Sequence, residues 1–125
     1  MPDFKHNYPI DQIGVEERIQ RFNSRSIKKE TKLIGLKLAL SMIDLTTLEG
    51  KDTPEKVKQL CYKALHPSND ILGLPQLAAV CVYPIHVKTA KKYLKNSTVK
   101  VASVATGFPS GNTSLQIKLI ETKYA

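Results

Sequence analysis

The stretch VKVASVATGFPSG, residues 99–111, gives the clearest indication of fold class in this 125-residue chain. Its valines and alanines form an apolar run that ends abruptly in a turn of glycine, proline and serine. A run without a polar face is typical of a strand covered on both sides, as in parallel sheets built from βα units. Thr113 and Gln116 then have the spacing of a helix capping box. An apolar stripe follows at Leu115, Leu119 and Ile120. We therefore predict a strand, a short loop and a helix.

The same pattern occurs earlier in the chain, beginning with the short apolar run at residues 42–48. A turn at residues 49–52 follows, with Thr53 as a helix N-cap and Pro54 in the first helical position. The buried stripe of this helix is predicted at Val57, Leu60, Cys61, Ala64 and Leu65. This segment is a complete βα unit.

A second apolar strand is predicted at residues 78–83, between the other two units. Its helix is predicted to bury Val87, Ala90 and Leu94. Three successive βα units predict an α/β fold with a parallel sheet and right-handed crossovers. Periodicity alone leaves open whether the sheet is doubly wound or part of a barrel.

The chain before the first strand carries helical patterns and two prolines near its start. We predict an extended arm over residues 1–14 and a short helix over residues 15–22. A longer helix, capped by Ser24 or Ser26, is predicted to run to Ala39.

These patterns divide the chain into an N-terminal extension, residues 1–25, and one partial α/β domain, residues 26–125. The last five residues contain no glycine, asparagine or proline that would end the final helix. We therefore expect the domain to be truncated at its C-terminus.

Composition is ordinary for a globular protein, with 42% hydrophobic and 24% charged residues. The net charge is +8, but the basic residues are spread along the chain without interleaved aromatics, so we expect no nucleic-acid partner. No apolar run approaches a membrane span or a secretory signal, and we expect a cytoplasmic protein with reduced cysteines. No dinucleotide or P-loop motif follows any predicted strand.

Three segments together resemble the deoxyribose-phosphate aldolase family, particularly its animal-type members. They are IDLTTL at residues 43–48, AVCVYP at 79–84 and VASVATGFPSG at 101–111. The resemblance extends from about residue 26 to the end of the chain, and the residues before it resemble the N-terminal extension of the family's eukaryotic members. It implies the N-terminal part of a TIM (β/α)₈ barrel. The activity it implies is reversible cleavage of 2-deoxy-D-ribose 5-phosphate to acetaldehyde and D-glyceraldehyde 3-phosphate, in deoxyribonucleoside catabolism.

The resemblance also implies a mechanism in which a lysine amine forms an imine with the aldehyde carbon, without metal or cofactor. In the family, that lysine, its lysine neighbour and a proton-relay carboxylate follow the segments matched here, as does the phosphate site. A complete barrel needs eight strands and about 250 residues. We therefore expect this chain to lack the Schiff-base lysine and to be inactive alone, with a homo-oligomer possible for the complete enzyme.

Four residues are candidate site residues under this resemblance. Asp44 lies inside an apolar strand, where an ionised carboxylate is disfavoured unless it is paired, and matches the family's proton-relay and hydroxyl-binding aspartate. Thr46 shares its face and is either a substrate contact or an ordinary β-branched residue. Cys81 matches a pocket cysteine or is a small core residue. Phe108 lines the pocket or belongs to a tight connection.

Other reactive residues fit structural roles better. Lys100 is the only lysine in a predicted strand, but it lies at the strand's N-terminal end, whereas barrel chemistry lies at the C-terminal ends. Cys61 belongs to a helix stripe and is expected in the core. The histidines have no partner at metal-ligand spacing and are expected to be neither ligands nor bases. They are His6, His66 and His86.

Two main functional hypotheses follow. The first is that the chain is part of an aldolase acting on a small phosphosugar, with no membrane partner. The second is a non-catalytic truncated product that serves as an interaction or assembly module through uncovered apolar surface. A basic RNA-associated domain is a third interpretation, which predicts salt-dependent binding to nucleic acid.

Overall fold

The computed structural model describes residues 9–125, and predictions for residues 1–8, including that for His6, lie outside the described residues. Two helices are followed by three strands that alternate with three helices. The helices are α1 (Gln12–Asn23), α2 (Lys29–Ser41), α3 (Pro54–Leu65), α4 (Val87–Tyr93) and α5 (Leu115–Tyr124). The strands are β1 (Asp44–Thr46), β2 (Ala79–Val82) and β3 (Lys100–Ser103). This order confirms the predicted succession of three βα units.

The three strands form one parallel sheet in the order β1-β2-β3. The register aligns Leu45 with Val80, and Val80 with Val101. Parallel neighbours need a long connection, which α3 and α4 supply. The α/β class is therefore confirmed, with three paired strands in the described chain.

The helix after β1 begins where the sequence predicts it. Thr53 Oγ1 accepts a hydrogen bond from the Lys56 backbone N–H at 3.3 Å, and Pro54 occupies the first turn of α3. The cap satisfies one of the N–H groups that a helix start leaves unpaired, and proline has no N–H to satisfy.

The core lies between α3, α4 and one face of the sheet. Its buried apolar residues are Val57, Cys61, Ala64, Leu77, Val80, Val82, Ala90, Leu94 and Val99. Leu45, Leu60, Leu65, Val87 and Val101 pack around them and are partly buried. Burying one valine side chain fully stabilises a fold by about 1.5–3 kcal/mol. The predicted stripes of α3 and α4 are thus confirmed.

The prediction that β3 is covered on both faces is wrong for the described chain. Val101 and Ser103 are partly buried, whereas Lys100 and Ala102 are exposed. The helices α3 and α4 cover the face that carries Val80, and the opposite face is open. Small residues made β3 look apolar on both sides in the sequence, although only one side packs against helices.

The predicted start of α5 is wrong by one residue. Ser114, and not Thr113, is the N-cap, and its Oγ accepts from the Ile117 backbone N–H at 3.4 Å. The predicted stripe on this helix is exposed: Leu115 is 71%, Leu119 62% and Ile120 69% accessible. None of the α5 residues is buried.

Several predicted boundaries also differ. Asp11 caps α1, which begins at Gln12, so the predicted arm is too long by about three residues. The second helix begins at Lys29, after Ser24 and Ser26, and the three strands are shorter than predicted. Strand ends depend on pairing with a neighbour, which an apolar pattern does not define.

The chain divides into two compact units, one up to Leu33 and one spanning Ile34–Ala125. The second unit contains the sheet, the core and the candidate site residues. The domain boundary after residue 25 stays a prediction, since compactness does not measure independent folding.

Candidate active site

The open face of the sheet carries three of the four predicted site residues. Asp44 and Thr46 are both exposed and alternate with partly buried Leu45 on β1. Cys81, half-buried, pairs with Thr46 in the register of β1 and β2. Successive strand residues point to opposite faces, so Asp44, Thr46 and Cys81 share the face opposite the helices. The sheet therefore brings together a carboxylate, a hydroxyl and a thiol.

The carboxylate and the hydroxyl are in contact. Thr46 Oγ1 donates to Asp44 Oδ2 at 3.4 Å, near the long limit of a hydrogen bond. The apolar sequence around Asp44 suggested a buried carboxylate. In the structure Asp44 is exposed and is hydrogen-bonded to Thr46. Both groups remain accessible. The carboxylate can accept hydrogen bonds from the hydroxyls of a small ligand, and the Thr46 hydroxyl can also donate to them.

Lys100 lies on the same open face. The register aligns Asp44 with Ala79 and Ala79 with Lys100, so the three residues form one row across the sheet. With about 4.8 Å between neighbouring strands, the Cα atoms of Asp44 and Lys100 are about 10 Å apart. Lys100 begins β3 as predicted, but Asp44 lies equally early in its own strand. Position along the strand therefore gives no reason to place Asp44 in the site and to exclude Lys100 from it.

Phe108 lies in the loop between β3 and α5, with 46% of its surface exposed. The Gly107 backbone N–H donates to Glu121 Oε2 at 2.7 Å, which joins this loop to α5. Gly107 has a φ of +77°, and a Cβ there would lie 3.0 Å from Thr113 Cγ2, so glycine suits the position. No hydrogen bond links the loop to Asp44 or Thr46 within residues 9–125.

A polar network orders the loop after β1. The Asp52 carboxylate, with only 1% of its side chain accessible, accepts from Thr47 Oγ1 at 2.8 Å and from the Glu49 N–H at 2.9 Å. Lys56 Nζ lies 2.8 Å from the same carboxylate and 3.1 Å from that of Glu49. The Thr47 N–H donates to the Cys81 carbonyl at 3.1 Å, which ties the end of β1 to β2.

The network also fixes the charge of Asp52. The hydrogen bond from Lys56 is the main cause that lowers the Asp52 pKa to about 2, and the Glu49 N–H and Thr47 hydroxyl add to it, while desolvation opposes them. Sequence reasoning treated residues 49–52 only as a turn and missed this network. A threonine directly after a strand, with an aspartate five residues later, was the available signal.

The two cysteines are free and differ in environment. Cys61 is buried on α3, and desolvation raises the pKa of its thiol. Cys81 is half-buried on the open face of the sheet. Core placement of Cys61 is confirmed, and Cys81 is the more accessible thiol. Within residues 9–125, no three or more His, Cys, Asp and Glu side chains are grouped so as to hold a metal ion.

Comparisons with known proteins identify relatives that carry one name. The chain is 43% identical to the deoxyribose-phosphate aldolase of Mus musculus and 44% identical to that of Homo sapiens, each over 127 aligned positions. The enzyme of Bos taurus matches at 43%. Each alignment covers 93% of this chain and 40% of the relative, so the chain spans about two fifths of the length of these proteins. No family model matches the chain.

A solved structure is also similar. The crystal structure of a candidate deoxyribose-phosphate aldolase from Coccidioides immitis superimposes with a TM-score of 0.59 at 30% identity. The match covers 71% of this chain and 32% of that protein. No helix within residues 9–125 has the length and hydropathy needed to span a membrane. The resemblance indicated by the three strand segments is thus confirmed: over most of its length, this chain is similar to about two fifths of the length of these deoxyribose-phosphate aldolases.

Proposed function

We propose that this chain forms part of a Schiff-base aldolase that cleaves 2-deoxy-D-ribose 5-phosphate to acetaldehyde and D-glyceraldehyde 3-phosphate. The proposal is supported by the relatives' name and by the three accessible reactive groups that share the open face of the sheet. The similarity to the named relatives carries it, and the open face adds a carboxylate, a hydroxyl and a thiol that a small ligand can contact.

In this proposal, Asp44 relays protons and binds a substrate hydroxyl, with Thr46 as its hydrogen-bonded neighbour. Cys81 and Phe108 line the substrate pocket. The imine-forming lysine is not among these 125 residues, so catalysis needs the part of the enzyme that the relatives have in addition. The network at Asp52 holds the loop next to Thr46 and is a positioning feature.

A chimera tests the proposal. The region of the Mus musculus enzyme that aligns with this chain is replaced by the chain, and cleavage of deoxyribose 5-phosphate is measured. We expect cleavage, and a loss of about 100-fold in kcat on Asp44→Asn, the lower range for removing an acid–base group. Asp70→Asn is the matched control, because Asp70 is exposed in the loop between α3 and β2.

Circular dichroism of each variant establishes that it is folded. A folded chimera without activity would refute the proposal for this chain. A chimera in which Asp44→Asn and Asp70→Asn are equally active would refute the role of Asp44 and leave the family activity standing.

A second function, an interaction or assembly module without catalysis, is favoured by the exposed apolar side chains of α5. Ile117 is 55% and Tyr124 69% accessible, in addition to the three exposed residues of the predicted stripe. Such a surface on a free chain indicates a missing partner. Light scattering of the purified chain measures self-association, and substitution of Leu119 and Ile120 by glutamine is expected to reduce it.

The wider expectations for the complete enzyme belong to the same proposal. They are a phosphosugar substrate, a homo-oligomer, no membrane or nucleic-acid partner and a cytoplasmic location. Binding assays, light scattering and cell fractionation of the complete protein test them.

A further inference from the structure

The loop between β3 and α5 has a strained backbone. Thr106 has a φ of +66°, and the next residue, Gly107, has a φ of +77°. Glycine adopts this left-handed region readily, but a β-branched residue such as threonine meets steric repulsion there. Residues held in this way persist only where the surrounding structure fixes them, and they are concentrated at functional sites. The contacts that hold this loop are therefore a guide to its role.

A carboxylate from the following helix holds the strained turn. Glu121, on α5, accepts the Gly107 N–H through Oε2 at 2.7 Å, and the two residues are 14 positions apart in sequence. A hydrogen bond from an N–H group to a carboxylate is stronger than one to a neutral acceptor. Within residues 9–125, no lysine or arginine forms an ion pair with Glu121. The interaction of this half-buried carboxylate is thus directed at the backbone of the loop.

The backbone of the loop closes on the same glycine. The Gly111 N–H donates to the Gly107 carbonyl at 2.7 Å, and the Thr113 N–H donates to the Gly111 carbonyl at 2.9 Å. Gly107 therefore uses its N–H on α5 and its carbonyl within the loop. Phe108 lies between the two glycines, so the segment that carries its ring is closed at its base by Gly107.

The loop leaves the sheet at the carboxyl end of β3, and α/β proteins bind ligands at this end of their strands. The register places Cys81 beside Thr46 and Ala102 beside Cys81, so these three residues form one row across the sheet. The Val104 N–H still pairs with β2, at the Val82 carbonyl 3.3 Å away. The loop thus begins directly beyond a paired strand end, at the same edge of the sheet as the loop after β1.

We propose that Glu121 is a positioning residue of the aldolase reaction, which holds this loop so that Phe108 contacts the substrate. The inference rests on the proposed function, in which Phe108 lines the substrate pocket. Glu121 does not itself touch the substrate in this arrangement, and it acts through the Gly107 N–H. Because Phe108 directly follows Gly107, a shift of the Gly107 peptide moves the Phe108 ring.

Hydrogen exchange of the chain tests the structural step. Glu121→Ala removes the acceptor, and we expect the Gly107 amide to exchange about tenfold faster than in the wild type. Glu121→Gln keeps a neutral acceptor and is expected to restore part of the protection. Gln116→Ala, which shortens an exposed polar side chain on the same helix, is the matched control and should leave this exchange unchanged. Alanine favours helix, so neither alanine variant weakens α5.

Kinetics of the chimera with the Mus musculus enzyme test the functional step. Glu121→Ala and Phe108→Ala are each expected to raise KM for deoxyribose 5-phosphate about tenfold with little change in kcat, because the lost contact is one of substrate binding. The double variant is expected to have the KM of either single variant, since both changes remove the same contact. A merely structural role would lower the melting temperature and leave KM unchanged. Gln116→Ala is expected to keep the KM and kcat of the parent chimera.

The outcomes separate this inference from the proposed function. Exchange at Gly107 that is unchanged in Glu121→Ala would overturn the role of Glu121. An active chimera in which Glu121→Ala keeps the parent's KM, or in which the two effects multiply in the double variant, would also overturn that role and leave the aldolase activity standing. A folded chimera without cleavage would overturn the proposed function and the role of Glu121 with it.

Discussion

Replacing Val80 by alanine tests the one-sided packing of the sheet. Val80 lies in the central strand and is completely buried against α3 and α4, whereas its neighbour Cys81 lies half-buried on the open face. The substitution Val80→Ala removes two methyl groups from the core. At about 0.8 kcal/mol for each, the loss of burial costs about 1.6 kcal/mol. The cavity that remains raises the expected loss in unfolding free energy to about 2–3 kcal/mol.

Urea unfolding followed by circular dichroism measures this effect, with Cys81→Ala as the matched control. For a slope of about 2 kcal/mol per molar urea, Val80→Ala shifts the midpoint down by about 1 M. Cys81→Ala is expected to shift it by less than about 0.3 M, because a half-buried thiol on an open face leaves no enclosed cavity. Equal shifts for the two variants would refute the conclusion that only one face is packed.

Three further predictions concern separate features of the chain. The Asp52 pKa is lowered from its usual 3.8 to about 2, so its carboxylate stabilises the folded state above about pH 4 and loses this effect as the pH falls toward 2. The melting temperature of Asp52→Asn is therefore expected to fall less steeply with acid than that of the wild type. Cys81 is expected to react with a thiol reagent much faster than Cys61, which is buried and has a raised pKa, so Cys81→Ser should remove the fast phase in an absorbance assay. Ser114→Ala is expected to destabilise the start of α5 by about 0.5–1 kcal/mol and to speed hydrogen exchange at Ile117, whereas Thr113→Ala should leave that exchange unchanged.

Each of these three has a result that would contradict it. The first would be contradicted by melting temperatures that fall equally steeply with acid in the wild type and in Asp52→Asn. The second would be contradicted by a fast phase of the thiol reaction that persists in Cys81→Ser, and the third by faster hydrogen exchange at Ile117 in Thr113→Ala.

The order of elements could be predicted from the sequence because local signals set it. Thr53 and Pro54 define the start of α3 through capping and through proline's missing N–H, and neither needs a partner from elsewhere in the chain. The stripe at Val57, Cys61 and Ala64 follows from helical periodicity. Features of this kind are recovered well by sequence reasoning.

Features that depend on distant partners were not recovered. Whether the second face of β3 is covered depends on what packs there, and the alternation of Lys100 and Ala102 with Val101 and Ser103 did not reveal it. The choice between Thr113 and Ser114 as the cap depends on the dihedral angles of a glycine-rich loop. The network at Asp52 joins Thr47 and Glu49 of the loop to Lys56 of α3, and composition shows only that these residues are polar.

The candidate site was predicted partly from the residues and partly from the resemblance. Period-two alternation along β1 predicts that Asp44 and Thr46 share one face. The strand register places Cys81 of β2 beside Thr46 on that same face. The same register aligns Lys100 with Asp44 across Ala79, which sequence position did not reveal.

Imine trapping tests the proposal that this chain is the part of an aldolase without the imine-forming lysine. The purified chain is incubated with acetaldehyde and borohydride, and its lysine peptides are analysed by mass spectrometry, since reduction converts an imine into a stable secondary amine. We expect no selectively modified lysine, because in the proposed mechanism the imine-forming lysine lies outside these 125 residues. One cleanly modified lysine would contradict it, above all Lys100, which shares the open face with Asp44, and loss of the product in Lys100→Arg would identify that residue as the nucleophile.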